Sequence, residues 1–178
     1  MLEQLKLVLD GGHVVRFHTK PTIKEETVAE HSYLVAWLIA LMMGKDVPRG
    51  ELLLAALQHD LPEHILGDMP SPTKKGLGLG DMFREKEQLI YAKAGMPDYE
   101  AMLDDSEAEL LKFCDNMAGY LKCRYEASLG NRQLHGIALR YQEYLRDNID
   151  NAEFMDKERA RQLLLWAMQE PTIGVNDD

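Results

Sequence analysis

The sequence predicts an all-α fold, and three observations carry that prediction. Apolar residues recur at helical spacing along most of the chain. Helix starts and stops carry suitable residues, as in Thr27-Val28-Ala29-Glu30 and Gly130-Asn131. No run of useful length alternates apolar and polar residues as a half-buried strand would. At 178 residues the chain suits one domain with a sizeable core, spanning 1–178, with 171–178 expected to fray.

Taken in order, Glu3 to Leu9 has leucines and a valine at helical spacing, and Gly11-Gly12 is expected to end that helix. Val14 to Ile23 has no helical period, and Pro21 disfavours helix at Lys20, so this segment reads as a loop or extended passage. Thr27 and Glu30 form a capping box that starts a helix running to about Met43. That helix is apolar nearly all round, which predicts the buried centre of a bundle. Pro48 to Gly50 is a turn, and Glu51 to His59 is a second central helix. Pro62 lacks a donor and clashes with the carbonyl four residues back, so the helix should break there and Pro62 should open a short second piece.

Gly67 to Gly80, rich in Pro, Gly, Ser and Lys, reads as a loop. Asp81 to Ala94 is an amphipathic helix stopped by Gly95-Met96-Pro97. A long helix follows from near Asp105 to about Leu129. Two more, Leu134 to about Leu145 and Lys157 to Gln169, carry apolar stripes and no catalytic set.

Composition excludes several functions. No apolar run reaches the ~18 residues of a membrane span. An acid at Glu3 does not fit a secretory leader, so the expected location is cytoplasmic, in the host's cytoplasm if the chain is phage-encoded. A formal net charge of −10 argues against a nucleic-acid polymer as partner, while leaving room for a small anion held by local bases and a cation. Cys114 and Cys123 sit nine positions apart, about 13 Å along one helix, too far for a disulfide, and read as reduced core thiols.

Chemistry concentrates where the leucine-rich run ends in His59-Asp60, followed by Glu63. An imidazole beside a carboxylate on an apolar helix suits a borderline divalent cation. His31 at the start of one helix and Asp115 inside another are ligand types in equally apolar settings. An unpaired carboxylate at Asp115 would cost several kcal/mol of desolvation, which ligation would offset. Two imidazoles and two carboxylates leave coordination positions for water and a phosphate oxygen, and Glu63 stands within reach as a general acid or base. Phosphate-ester hydrolysis uses all these parts. Arg16 reads either as a solvated base or, beside Phe17, as part of a nucleotide clamp. Lys74 and Lys75 read equally as solvated or as phosphate ligands.

The ordered set His31, His59-Asp60 and Asp115 resembles the signature of HD-domain metal-dependent phosphohydrolases. Arg16-Phe17, Thr27-Val28-Ala29-Glu30-His31-Ser32, His59-Asp60 with Glu63, Gly67 to Pro72 and Asp115 to Cys123 resemble the bacterial 5′-deoxynucleotidases of the YfbR type and compact phage relatives acting on dATP. The resemblance covers roughly 14–131. It implies an all-α HD-domain bundle, a homodimer or higher homo-oligomer, and a divalent transition metal such as Co²⁺, Mn²⁺ or Zn²⁺. It also implies a deoxynucleotide substrate that loses its 5′-phosphate moiety. By matching position, His31, His59, Asp60 and Asp115 would hold the metal, and Glu63, with Asp60, would be catalytic. Arg16, Phe17 and Thr19 would contact the nucleotide, and Asp68, Met69, Pro70 and Ser71 would lie along sugar and phosphate, with Asp68 rejecting a ribose 2′-hydroxyl. Phe17 stands where the bacterial enzymes carry Trp, and Pro62 replaces a small residue.

Two activities share this site. A dNTP triphosphohydrolase would use Lys20, Lys74, Lys75 and Lys122 for a longer phosphate tail; a 5′-deoxynucleotidase acting on dNMPs would not need them. The Arg16-Phe17-His18-Thr19 segment and the short chain tilt the expectation towards the first. A dinuclear HD enzyme would need further histidines, and His64, five residues past His59, is rotated off that face. A non-catalytic nucleotide sensor would have lost the metal set, which is complete here.

Overall fold

The computed structural model describes residues 1–150 and 156–169; the expected fraying at 171–178 lies outside the described residues. The chain forms α1 (Leu2–Gly12), α2 (Val28–Met42), α3 (Gly50–Gln58), α4 (Glu63–Leu66), α5 (Ser71–Gly76), α6 (Gly80–Ala94), α7 (Asp105–Ser128), α8 (His135–Asn148) and α9 (Lys157–Gln169), with a 3₁₀ turn at Glu100–Met102. No strand occurs among the described residues beyond one isolated antiparallel bridge, Val15 to Thr27.

The core lies along α7, which packs on α2, α3, α8 and α9. Leu110, Phe113, Met117 and Tyr120 are at most 2% exposed and face Val35, Ile39 and Leu52. Asp104 caps α7 through a capping box with Glu107, in which each side chain takes the other's backbone N–H. α2 opens as expected, with Thr27 accepting from Glu30 N and Glu30 from Thr27 N. Cys114 and Cys123 are free and buried, as core thiols should be.

Two expectations, for α2 and for Gly67–Gly80, need correction. α2 is not buried all round: Tyr33, Trp37 and Leu41, four residues apart, lie on an exposed stripe, and α7 takes the central place instead. Gly11-Gly12 are the last two residues of α1, where the helix was expected to end. A Cβ on Gly11 would sit 2.6 Å from the Leu61 carbonyl oxygen, so this glycine lets α1 close onto the backbone just after His59-Asp60. Gly67–Gly80 is not all loop, since Ser71–Gly76 coils into α5, with Pro72 in its first turn where no backbone donor is needed.

The break at Pro62 is present, with α3 ending at Gln58 and α4 starting at Glu63 directly after Pro62. Carbonyls near the break take side-chain donors: Ala56 O receives His59 Nδ1 at 2.8 Å, Gln58 O receives Tyr91 Oη at 2.8 Å, and Leu61 O receives His64 Nδ1 at 2.8 Å. Interrupting the helix thus frees the acceptors that orient its two histidines.

Candidate metal centre

α2, α3 and α7 bring the candidate donors together. His31 comes from the first turn of α2, His59-Asp60 from the end of α3, and Asp115 from midway along α7. Asp115 Oδ1 lies 2.9 Å from His31 Nε2 and 3.9 Å from His59 Nε2. Asp60 Oδ2 lies 3.4 Å from His59 Nε2 and 3.9 Å from His31 Nε2. The two imidazole rings are tilted at 55° with centroids 5.4 Å apart. Donor atoms of His31, His59 and Asp115 all fall within 4.8 Å of one another, and this is the one such grouping among the described residues.

These residues fit a divalent cation. His59 donates from Nδ1 to Ala56 O, which fixes its tautomer and leaves the Nε2 lone pair facing the carboxylates. That Nε2 is buried and has no hydrogen-bond partner. His31 is fully buried, and burial holds it below the ordinary imidazole range, which keeps it neutral as a ligand must be. Burial would also lower His59, but Asp60 and Asp115 outweigh it and hold this ring up at about 10. Burial opposes ionisation of Asp60 and Asp115 as well; neighbouring His59 and Arg16 for Asp60, and the hydrogen bond from His31 with the nearby His59 ring for Asp115, keep both below the usual carboxylate range. A field that draws a proton so strongly onto His59 draws a cation to the same spot.

Arg16 enters this cluster from the turn before α2. Its Nη1 meets Asp60, its Nη2 lies 4.0 Å from Asp115, and its Nε lies 3.6 Å from Glu26. Phe17, next in the chain, holds φ at +57°, a conformation that bulky residues rarely adopt and that costs roughly 1–2 kcal/mol. This turn sends Arg16 inward and places His18 Nδ1 3.3 Å from Asp68. Thr19 is exposed in the same turn, and Met69, Pro70 and Ser71 lead from Asp68 into α5.

Glu63 Oε2 is buried without a partner, and burial together with the charge of Asp60 pushes its carboxyl up to about 8. His64 stays out of the cluster, turned to Leu61 O, and His135 is exposed at the start of α8. Lys74 and Lys122 are engaged with other side chains. Lys74 Nζ lies 4.6 Å over the Phe83 ring and 3.8 Å from Glu87. Lys122 is buried, donating to Lys24 O and, at 2.9 Å, to Glu126. Lys20 and Lys75 are exposed.

Several residues around the site gave no sign in the sequence. Glu126 accepts from Ile23 N at 2.7 Å, Lys24 N at 3.0 Å and Asn131 at 2.7 Å, pinning the loop before α2 to α7. Gln58, 3% exposed, bridges Pro97 O and Tyr99 N and fixes the end of α3. Glu26, buried beside Arg16, is pushed up to about 7 by burial against the pull of Arg16 and Lys122. Its sequence context, Lys24-Glu25-Glu26, reads only as a charged loop.

Comparison with known proteins adds the following. The sequence profile of a family described as "5′-deoxynucleotidase YfbR-like" matches residues 5–161. A dATP triphosphohydrolase of Salmonella phage PMBT28 is 28% identical over 158 residues, which is 79% of this chain and 77% of that one. The 5′-deoxynucleotidase YfbR of Escherichia coli O1:K1 / APEC is 30% identical over 155 residues, covering 74% and 73%. The fold resembles the HD phosphohydrolase DatZ of cyanophage S-2L, solved with dA and one catalytic Zn²⁺ ion. Its TM-score is 0.72 at 22% identity, over 92% of this chain and 93% of the other.

Proposed function

The chain belongs to the YfbR-like 5′-deoxynucleotidase family of HD-domain, metal-dependent phosphohydrolases, and from that premise we propose that it removes the whole 5′-phosphate chain of a dNTP. The products are a deoxynucleoside and triphosphate. The observation that carries hydrolysis at this site is the convergence of His31, His59, Asp60 and Asp115 beside an inward-facing arginine. Those four side chains would hold a divalent cation. When bound, the cation supplies positive charge at the phosphoryl group and a more acidic water.

The remaining roles fall to the chain's own groups. Arg16 binds phosphate oxygens, and Phe17 and Thr19 face the nucleotide. Asp68, Met69, Pro70 and Ser71 line the sugar, with Asp68 disfavouring a 2′-hydroxyl. As water adds to phosphorus and the bond to O5′ breaks, that oxygen needs a proton. Glu63, protonated at neutral pH by its surroundings, suits donation to it. Residues 1–178 act as one domain, in a homo-oligomer, in the cytoplasm. No helix among the described residues is long and apolar enough to cross a membrane.

Likeness to the phage dATP triphosphohydrolase supports the triphosphate reading. A second reading, dNMP to deoxynucleoside plus phosphate, is favoured by the engagement of Lys74 and Lys122 within the chain, which removes two charges a longer tail would use. Product analysis separates them. The protein, loaded with Co²⁺, Mn²⁺ or Zn²⁺, is incubated with each dNMP and dNTP, and the released phosphate species are resolved. Triphosphate from a dNTP, abolished together with metal binding in His59→Ala, is the expected result. Phosphate from dNMPs alone selects the second reading, and no release from any substrate by fully metal-loaded protein overturns both.

A further inference from the structure

Three carboxylates surround the Arg16 guanidinium, and they are not equivalent. Asp60 and Asp115 meet its Nη groups and belong to the metal-donor set, so a bound cation competes with Arg16 for both. Glu26 approaches the opposite edge, with Oε2 3.6 Å from Nε, and contacts none of the four donors. Both side chains are 12% exposed, and Arg16 Nε and Glu26 Oε2 have no hydrogen-bond partner. These two atoms face each other 3.6 Å apart with no other partner, so the ion pair between them is the one contact that either edge makes among the described residues.

The backbone fixes this pairing. Arg16 N donates to Glu26 O at 2.9 Å and Val28 N to Val14 O at 2.9 Å, around the bridge between Val15 and Thr27. Just upstream, Ile23 N and Lys24 N are held by Glu126, and Lys24 O by Lys122, so the strip carrying Glu26 is anchored to the helix that carries Asp115. The Glu26 backbone is therefore placed by α7 and the bridge, without help from the Arg16 guanidinium.

We propose that Glu26 is the positioning residue for Arg16: it holds the Nε edge and so turns the two Nη groups towards the substrate's phosphate. A guanidinium offers two separate hydrogen-bonding edges, and a counter-ion on one restricts rotation of the plane that the other must present. Less freedom is then lost when phosphate binds, which lowers KM without altering the chemical step. The inference rests on the proposed contact between Arg16 and substrate.

A double-mutant cycle on the Mn²⁺-loaded full chain tests it, with dATP and dAMP as substrates. Glu26→Gln is expected to raise KM about 10-fold, with kcat within about 2-fold of native and with bound metal unchanged. In an Arg16→Ala background the same substitution is expected to change KM less than about 2-fold, because the group it positions is gone. An unchanged KM in the single variant, or an equal rise in both backgrounds, overturns the proposal. Arg16→Ala alone keeps the two failures apart: a KM unaffected by it overturns the substrate contact itself. If Glu26→Gln does not fold, Glu26→Asp replaces it in the cycle. Its shorter reach is expected to raise KM only when Arg16 is present, and a rise without Arg16 overturns the proposal.

Discussion

A carboxyl that shares its surroundings with Asp60 and Asp68 resists losing its proton, and Glu63 is such a group. Burial raises it first and Asp60 second, so the acid form persists through neutral pH and is lost as pH rises. Activity that depends on the protonated form must fall on the alkaline side. Glu63→Gln is expected to keep the metal, slow turnover about 10²- to 10⁴-fold and flatten that alkaline fall. Metal analysis with a pH series of kcat checks this, and unchanged turnover removes Glu63 from the mechanism. Residues of this kind were legible in sequence because ionisable side chains stand out against apolar neighbours, as His31, His59 and Asp115 do. Glu26 and Glu126 were not legible, because polar neighbours surround them and tertiary contacts alone bury them. The burial of Lys122 was not legible for the same reason: it depends on the loop folded over it.

At the scale of elements, α7 has two tasks on one face. Asp115 and Glu126 are eleven residues apart, close to three helical turns, so the helix presents the metal donor and the loop anchor along one side. Glu126 accepts hydrogen bonds from two backbone amides, Asn131 and Lys122. Burial opposes its ionisation, but these bonds prevail and hold its carboxyl down at about 2, against 4.5 ordinarily. With the folded value depressed, its stabilisation is complete above about 4.5 and is lost as pH falls through about 2. Glu126→Ala leaves Lys122 buried without its carboxylate, with only the Lys24 carbonyl to take its charge, and is expected to cost about 3 kcal/mol. Denaturant unfolding at pH 7 measures that loss, and repetition at pH 2.5 should show a smaller gap; equal losses at both values would contradict the linkage. The helix order was legible from apolar period and caps. α5 was not, because Pro, Gly and Lys mark loops and short proline-started helices alike. The approach of Leu61 to Gly11 also escaped, since it is a contact between elements far apart in the chain.

The molecule as a whole keeps an apolar stripe that its own packing does not cover. Tyr33, Trp37 and Leu41 are 63%, 53% and 50% exposed at four-residue spacing on α2, while the opposite face of that helix is buried against α7. Periodicity alone made α2 look like a central helix because an exposed apolar stripe and a buried one have the same pattern. Large aromatic side chains aligned on one exposed helix face are the composition of an interface core and unfavourable in water. The proposed homo-oligomer gives that face an occupant, and a two-fold arrangement would let one α2 stripe cover another. Light scattering on the native chain is expected to give at least twice the 20.3 kDa of a single chain. Trp37→Glu places a charge in the middle of the stripe without touching the donors, so it should shift the mass towards one chain while metal binding persists. A native mass of one chain, or a Trp37→Glu assembly as large as the native one, would remove α2 as the interface.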